Sequence, residues 1–342
     1  MFPIPLPCTR FAFAFAAGLT ALFHGPSAHA TVETMIVTSD PQYPWTDTSG
    51  ETDEVRNSRS RQLIEEQYRS IAAYRARRPD QTIPVFVNGD LTAYGHAWQR
   101  AVMDELLGIL GDHVYLGLGN HDYQNNIRGK DGSGCYNNGC ARDSVLGLVQ
   151  HVTAKTDKVS FDFSAYPGFP GNRYEGSLAY AIKAPGWERV LQVQLNNYPT
   201  YEVSFASTEG IRPARFDIGS SLPWLKNVLD THLGVPRYGT PADRAYDFAV
   251  VHMHSADGYS DGFGEALVTG HVAAVFAGHL HFRLGQYRSI NGVPVFLSGS
   301  ASQRTYLIVE HDTVARVLRV FAVRNNDPEG RELIATVDVD TV

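Results

Sequence analysis

The sequence predicts an α/β fold built from parallel strands and connecting helices. Short apolar and β-branched runs alternate with longer segments whose apolar residues recur every three or four positions. Side chains that can bind metals follow several of these runs directly. The chain has 342 residues, 43% of them hydrophobic and 19% charged, which is an ordinary globular composition. Alternation of this kind favours parallel strand pairing in an α/β core.

The first part of the chain predicts three strands separated by two helices. The strand-like runs cover 34–38, 84–87 and 114–118. The first helix carries Ile64, Tyr68 and Ile71 at helical spacing and ends before Pro79. The second helix places four apolar residues on one face, namely Trp98, Val102, Leu106 and Ile109. Each of these helices is long enough to connect two parallel strands.

The second part resumes the alternation after an interruption. Further strand-like runs cover 178–182, 190–195, 248–251 and 273–276. A helix is predicted around 222–229, with Pro223 in its first turn. From Pro294 onward the pattern is one of short alternating strands. Because neither a repeat nor a linker is visible, we predict a single domain over residues 31–342.

Residues 1–30 are expected to be a signal peptide. An apolar stretch follows Arg10, and Ala28-His29-Ala30 has the small-x-small form of a cleavage site. The alternative is a transmembrane anchor, but the stretch is shorter than the roughly 20 residues needed to span a bilayer. We therefore expect cleavage after Ala30 and export to the periplasm or the exterior, with no membrane span left in the mature chain.

Residues from about 123 to 176 are predicted to form an insertion. This segment is rich in Gly, Asn, Asp and Pro and holds one predicted helix near 144–152. It also contains Cys135 and Cys140, the two cysteines that remain once Cys8 leaves with the signal peptide. Two cysteines this close in an exported protein favour a disulfide bond. A zinc site is the weaker alternative, because no third or fourth thiol is present.

The charge balance argues against some partners. The formal net charge is −7 and the chain has no basic run, so neither a nucleic acid nor an anionic membrane surface is indicated as a partner. A phosphate substrate is compatible with this charge, because a bound metal can supply positive charge locally.

Metal-capable side chains follow five of the predicted strands. Each group comes directly after a strand: Asp40 and Gln42, Asp90, Asn120 with His121 and Asp122, His252 and His254, and His279 and His281. The carboxyl ends of parallel strands meet at one edge of a sheet, so these groups are expected to converge. A glycine before Asp90, Asn120 and His279 allows the backbone to turn sharply off each strand.

The mixture of ligands favours two divalent metal ions. Asp90 is expected to bridge both ions, Asp40 and His281 to complete one site, and Asn120, His252 and His279 to complete the other. Carboxylate, amide and imidazole ligands suit Mn, Fe, Zn or Mg rather than a thiolate-rich structural zinc. Two such ions can clamp a phosphoryl group and lower the pKa of a shared water.

These motifs resemble those of the calcineurin-like metallophosphoesterase superfamily, which run Asp-x-His, Gly-Asp, Gly-Asn-His-Asp/Glu, His and Gly-His-x-His. The resemblance spans roughly residues 34–322. It implies a four-layer αββα sandwich of two mixed β-sheets flanked by helices. It also implies that His121 donates a proton or hydrogen bond to the phosphate or the leaving oxygen, with Asp122 orienting it. His252 is preferred over His254 as a ligand, because it directly follows its strand as the family's histidine does.

Two positions depart from the family pattern. Gln42 stands where the first motif has histidine, and an amide oxygen is a weaker ligand for zinc than imidazole. Gln42 is expected to coordinate through its oxygen or to hold a water, and the alternative is that it only packs. Ala93 stands where the purple acid phosphatase branch has a tyrosine, which argues against an iron–tyrosinate pair.

Together these features predict an exported metal-dependent phosphoesterase. It would hydrolyse phosphomonoesters or phosphodiesters, from small molecules or lipids, by attack of a metal-bridging hydroxide on phosphorus. One alternative is a catalytically weak metal-binding protein on the same fold, which Gln42 favours. Another is a secreted toxin or lipid-directed phosphodiesterase. The sequence makes no prediction of oligomeric state.

Overall fold

A computed structural model describes residues 32–132, 135–208, 213–234, 240 and 244–340. The predicted signal peptide, residues 1–30, lies outside the described residues. Within the described ranges, no helix has both the length and the apolar character needed to cross a membrane.

The order of elements follows the predicted alternation. The helices are α1 (Asp53–Ala76), α2 (Ala97–Leu107), α3 (Gly139–Thr153), α4 (Leu222–Leu233) and α5 (Asp261–Thr269). The first strands are β1 (Val32–Thr38), β2 (Val85–Val87), β3 (Val114–Leu116), β4 (Lys158–Phe161), β5 (Ser164–Tyr166), β6 (Asn172–Glu175), β7 (Tyr180–Ile182) and β8 (Val190–Gln194). The remaining strands are β9 (Val203–Ser207), β10 (Ala214–Ile218), β11 (Phe248–His252), β12 (Val272–Ala277), β13 (Leu284–Ile290), β14 (Val293–Ser298), β15 (Tyr306–Asp312), β16 (Val317–Val323) and β17 (Glu332–Asp338).

Two large mixed sheets form the centre of the molecule. The first has six strands in the order β17-β16-β15-β1-β2-β3, and the second has seven in the order β13-β14-β12-β11-β8-β7-β4. In the first sheet β1, β2 and β3 pair in parallel, as the alternation predicts. In the second sheet β8, β11, β12 and β14 are parallel neighbours. The parallel strands of each sheet therefore end at a common edge.

Three apolar clusters hold the layers together. The inner cluster joins the two sheets and includes Phe86 and Tyr115 from the first sheet and Phe248 and Phe276 from the second. On the outer face of the first sheet, α1 and α2 bury side chains such as Ile64, Ile71, Met103 and Leu106. On the outer face of the second sheet, α4 and α5 bury side chains such as Leu225, Val228, Phe263 and Leu267. The α/β fold, with helices outside two mixed sheets, is confirmed.

The predicted insertion joins the second sheet and starts a third, smaller sheet. Strand β4 pairs with β7 at one edge of the seven-stranded sheet. Strands β5 and β6 belong to a four-stranded sheet of order β5-β6-β10-β9, which the sequence did not predict. The helix predicted near 144–152 is present as α3. Cys135 and Cys140 form a disulfide, with their Cα atoms 5.7 Å apart.

Candidate metal centre

The candidate ligands lie just beyond the ends of parallel strands in both sheets. Asp40 and Asp90 follow β1 and β2 of the first sheet. His254 follows β11, and His279 and His281 follow β12, in the second sheet. Because the sheets pack face to face, their strand ends meet at one edge of the sandwich.

The backbone at these positions is held in an unusual conformation. Asp40, Gln42, Asp90 and His279 all have positive φ, at 52°, 43°, 50° and 69°. Such a conformation costs a non-glycine residue about 1–3 kcal/mol and persists where the surrounding structure enforces it. Here the amide groups of Asp40 and Gln42 donate hydrogen bonds to backbone carbonyls of the Gly89–Asp90 turn. The first two motifs are thereby fixed against each other.

Two glycines allow these turns to approach one another. A Cβ at Gly278 would lie 2.4 Å from an Asp40 carboxylate oxygen. A Cβ at Gly119 would overlap the Asp90 carboxylate. Glycine is therefore required at both positions for the two carboxylates to occupy the site.

The site contains two groups of three ligand atoms that share one residue. Asp40, Asp90 and His281 form one group, and Asp90, His254 and His279 form the other. Within each group the ligand atoms lie within 4.8 Å of one another. His281 Nε2 is 3.3 Å from an Asp40 oxygen, and His254 Nε2 is 3.2 Å from an Asp90 oxygen. Asp90 thus occupies the shared position that a bridging ligand requires.

A backbone carbonyl that contacts Nδ1 fixes the orientation of the His254 ring. Its Nδ1 lies 3.0 Å from the Asn88 carbonyl oxygen, and donation there directs Nε2 towards the site. Nε2 is then 3.0 Å from Asn120 Oδ1 and 3.2 Å from His279 Nδ1, in addition to its contact with Asp90. Nε2 carries at most one proton, so it can donate a hydrogen bond to only one of these three neighbours. A metal ion bound among them would account for all three short distances.

The electrostatics match a site that attracts positive charge. Burial alone would raise the pKa of Asp90, but the adjacent His254 outweighs burial and lowers it. Burial alone would lower the pKa of His281, but its contacts with Asp40 and Asp47 raise it to about 10. Asp90 is therefore ionised, and without a metal the raised pKa values of His254 and His281 let these two rings supply the compensating charge.

His252, which the sequence analysis preferred as a ligand, does not lie in either of these two groups. It is the last residue of β11, and its ring stacks on Phe86 with centroids 4.0 Å apart. Its Nε2 lies 3.0 Å from Gln192 Oε1 inside the core between the sheets. Burial lowers its pKa to about 3, so the ring is neutral. His254 points to the same side of the chain but lies past the end of the strand, where the other ligands are.

His121 lies beside the ligand groups and is tied to them. Its amide donates a 2.9 Å hydrogen bond to an Asp90 carboxylate oxygen, and its ring Nδ1 is 3.0 Å from the Ala93 carbonyl oxygen. The ring is oriented by this carbonyl. The sequence analysis expected Asp122 to orient His121, but among the described residues the Asp122 carboxylate makes no hydrogen bond to this ring.

Asp122 instead organises the loops around the site. It is 1% exposed, and its carboxylate accepts hydrogen bonds from the amides of Leu91, Thr92 and Gly119 and from the Thr92 hydroxyl. Burial, with a further contribution from Asp90, raises its pKa to about 6. Asp122 connects the motif that carries Asp90 to the motif that carries Asn120.

A buried oxygen provides a test of whether metal ions fit this site. Gln42 Oε1 is fully buried and has no hydrogen-bond donor among the described residues, whereas Asp40 Oδ1 lies 3.3 Å from His281 Nε2. Buried oxygens are almost always paired, and an unpaired oxygen costs about 1–3 kcal/mol. A cation between the motifs would satisfy Gln42 Oε1, so the residues present fit divalent metal ions.

The sequence pattern gave no indication of Trp45 as part of the site. Its ring centroid is 5.9 Å from that of His281 and 6.2 Å from that of His121. Its amide is anchored by Ser60 Oγ at 3.0 Å, and 36% of the residue is exposed. The spacing of the sequence motifs does not reveal Trp45, because this residue lies in a loop and belongs to none of the motifs.

Several solved structures are similar to this chain in fold. A purple acid phosphatase from yellow lupin (Lupinus luteus) is 10% identical, with a TM-score of 0.49 over 90% of this chain and 53% of that protein. The sulfate thiohydrolase SoxB of Thermus thermophilus is 13% identical, with a TM-score of 0.46 over 88% and 58%. A 5'-nucleotidase from Candida albicans is 14% identical, with a TM-score of 0.45 over 81% and 47%. The chain thus spans about half the length of each of these proteins.

A search of curated protein sequences finds no match. The model of the family described as calcineurin-like phosphoesterase matches residues 34–283, which include every candidate ligand. The chain belongs to the calcineurin-like phosphoesterase family.

Proposed function

We propose that this protein is a phosphoesterase that depends on two divalent metal ions. The observation that carries the proposal is the pair of three-residue groups sharing Asp90, with the unpaired buried oxygen of Gln42 beside them. The first ion would be held by Asp40, Gln42, Asp90 and His281. The second would be held by Asp90, Asn120, His254 and His279.

Bound metal ions would supply Lewis-acid activation of the phosphoryl oxygens and acidify a shared water. The protein's own part is to fix the ligands and to place a proton donor beside them. His121 Nδ1 donates a hydrogen bond to the Ala93 carbonyl oxygen, which leaves Nε2 as the ring atom that would give a proton to the departing oxygen. The hydrogen bond from its backbone amide to Asp90 keeps the ring beside the proposed ligands.

Trp45 supports a substrate with a sizeable organic group. Its exposed indole lies close to both His121 and His281, and would therefore lie beside the leaving group that His121 protonates. Small-molecule and lipid phosphate esters both remain within the proposal. Export, with cleavage after Ala30, also belongs to it and is supported by the pattern of residues 1–30 and by the Cys135–Cys140 disulfide.

A catalytically weak metal-binding protein is the second candidate, and Gln42 favours it. An amide oxygen at this position binds a transition metal less strongly than imidazole does, so one ion would be held less tightly.

One panel of assays separates these functions. p-Nitrophenyl phosphate and bis(p-nitrophenyl) phosphate are each tested with the metal-free protein and after addition of Mg, Mn, Fe or Zn. The phosphoesterase proposal predicts turnover of at least one ester with at least one metal, and its loss on chelation. Tight retention of a single ion, with no turnover under any condition, would establish the metal-binding protein instead.

A further inference from the structure

A small cavity adjoins the candidate metal centre between the start of β13 and the end of β16. Its volume is about 210 Å³, and His281, one of the proposed ligands, contributes to its wall. The other lining residues are Phe282, Leu284, Gln303, Thr305, Arg324 and Asn325, and we call these six residues the arginine pocket. Sites for complete small-molecule ligands usually enclose roughly 300–1,000 Å³, so this cavity suits one group of a substrate rather than a whole molecule.

The two large sheets bring the arginine pocket to the same edge as the metal centre. In the first sheet, β16 ends at Val323, which pairs with Tyr306 of β15, and β15 in turn pairs with β1. Because neighbouring strands are about 4.8 Å apart, the end of β16 lies about 10 Å from the end of β1. In the second sheet, β13 begins at Leu284 beside the end of β14, and β14 pairs with β12, which His279 follows. The pocket is therefore within reach of a substrate bound at the metal centre.

Arg324 gives the arginine pocket its charge. None of the other five residues of the pocket is charged. Arg324 is exposed, and its guanidinium forms no ion pair with any residue that the structure describes, whereas Arg319 on the same strand pairs with Asp312. A guanidinium among uncharged walls favours an anion, and its parallel N–H groups can hold a carboxylate or phosphate at two points.

A shared carboxylate connects the arginine pocket to the aromatic side chain beside the metal centre. Gln303 Nε2 donates a hydrogen bond to Asp47 Oδ2 at 2.5 Å, and Trp45 Nε1 donates one to Asp47 Oδ1 at 3.4 Å. Asp47 Oδ1 also lies 3.9 Å from His281 Nδ1. The pocket and the indole of Trp45 are thus adjoining parts of one surface next to the proposed ligands.

We propose that the arginine pocket binds a second anionic group of the substrate and that Arg324 determines this specificity. The preferred substrate is then a phosphate ester whose organic group carries a carboxylate or another phosphate. The inference rests on the proposed function, because the first phosphate is held at the candidate metal centre. Arg324 takes no part in the bond that breaks, so its removal should change the choice of substrate and leave the chemistry intact.

Matched ligands measure the contribution of the second anion. A series of linear ω-carboxyalkylphosphonates is compared with alkylphosphonates of the same chain lengths, by calorimetric titration of the Mn²⁺-loaded protein. At the best chain length the carboxylate should tighten binding by about 3–10-fold, because a two-point contact strengthens an ion pair that would otherwise be weak at an exposed arginine. Sodium chloride should reduce this preference, since salt screens exposed charges.

Variants of Arg324 identify the residue that binds the second anion. Arg324→Ala should abolish the preference for the carboxylate and leave the binding of the alkylphosphonates unchanged. Arg324→Lys keeps the charge but loses the two-point geometry, so it should retain part of the preference. Arg69→Ala is the matched control, because it removes an exposed arginine of α1 with the same change in net charge, and it should keep the full preference.

Hydrolysis of p-nitrophenyl phosphate separates failure of this inference from failure of the proposed function. This ester has no second anionic group, so wild type and Arg324→Ala should hydrolyse it with the same kcat/KM. If wild type turns over neither this ester nor bis(p-nitrophenyl) phosphate with any metal, the proposed function fails, and the binding comparison still decides the role of the pocket. The inference is overturned if the carboxylate tightens binding at no chain length, or if Arg324→Ala keeps the preference.

Discussion

The two large sheets contribute different chemistry to the same site. The strand ends of the first sheet carry the proposed oxygen ligands: Asp40, Gln42, Asp90 and Asn120. Those of the second sheet carry the proposed imidazole ligands: His254, His279 and His281. Each proposed ion takes ligands from both sheets, so neither sheet can form the proposed site alone. The proposal therefore requires the contact between the sheets as much as the ligands themselves.

The oxygen side of the site, from the first sheet, and the imidazole side, from the second, also differ in the contacts that hold their side chains in place. On the oxygen side, carboxylates are fixed by backbone amides and by positive-φ turns, as at Asp90. On the imidazole side, His254 depends on a carbonyl of the opposite sheet, that of Asn88. Substitutions on the oxygen side should therefore remove charge, whereas those on the imidazole side should alter geometry and metal affinity.

The largest effect is expected from the residue shared by the two groups. Asp90→Asn keeps the shape of the side chain but removes the negative charge that both ions require. We expect hydrolysis to fall to the buffer blank and the number of bound ions to drop below two, measured by activity assay and elemental analysis. Asp53→Asn, at an exposed ion pair with Arg56 on α1, is the matched control. Retention of two ions and of turnover by Asp90→Asn would refute the shared role.

The next effect concerns the proton donor. His121→Asn should lower kcat by about 10²–10⁴-fold for an alkyl phosphate, whose leaving oxygen needs a proton. The loss should be much smaller for p-nitrophenyl phosphate, because nitrophenolate departs without protonation. Equal losses for the two esters, at unchanged metal content, would exclude His121 as the proton donor.

Two histidines at the end of β11, one inside the strand and one just beyond it, test the proposed imidazole ligands. His254→Ala should weaken binding of one ion by more than about 10–100-fold, since a direct ligand is lost. His252→Leu should leave metal affinity unchanged and lower only the thermal stability, because His252 lies in the core against Phe86. Equilibrium dialysis with Mn²⁺ measures the first effect and thermal unfolding the second. Weaker metal binding in His252→Leu, with unchanged metal binding in His254→Ala, would identify His252 as the ligand.

A smaller effect comes from exchanging ligand chemistry at one position. Gln42→His places an imidazole among the oxygen ligands and should tighten zinc binding by about tenfold, or 1.4 kcal/mol. Competition with a chromogenic chelator measures the change. Gln62→His on α1 adds a histidine away from the site and should have no effect. An unchanged affinity in Gln42→His would place residue 42 outside the ligand set.

The smallest effect concerns substrate preference. Trp45→Leu should raise KM for an aryl phosphate by about 2–10-fold relative to an alkyl phosphate, as expected from loss of one aromatic contact. Trp98→Leu, an exposed tryptophan on α2, is the control. If KM for both esters rises equally in Trp45→Leu, the indole does not contact the aryl group.

Much of this architecture is readable from the sequence, and the exceptions have physical reasons. The central strands of the two large sheets could be predicted because they are continuous apolar runs. The motifs that contain Asp40, Asp90 and His279 could be predicted because each one directly follows such a run. The four-stranded sheet was missed because strands such as β5 (Ser164–Tyr166) are exposed and lack an apolar pattern.

The choice between His252 and His254 could not be made from sequence. Both point to the same side of an extended chain, and only the position at which β11 ends decides which one enters the site. The partner of the His121 ring was missed for a related reason. Ala93 contributes a backbone carbonyl, which has no sequence signature.

The most direct test of two cations bridged by Asp90 is anomalous diffraction from a crystal of the Mn²⁺-loaded protein. Data collected at the manganese absorption edge should show two peaks about 3.5–4 Å apart, one on each side of the Asp90 carboxylate. A single peak, or peaks away from Asp90, would contradict the account.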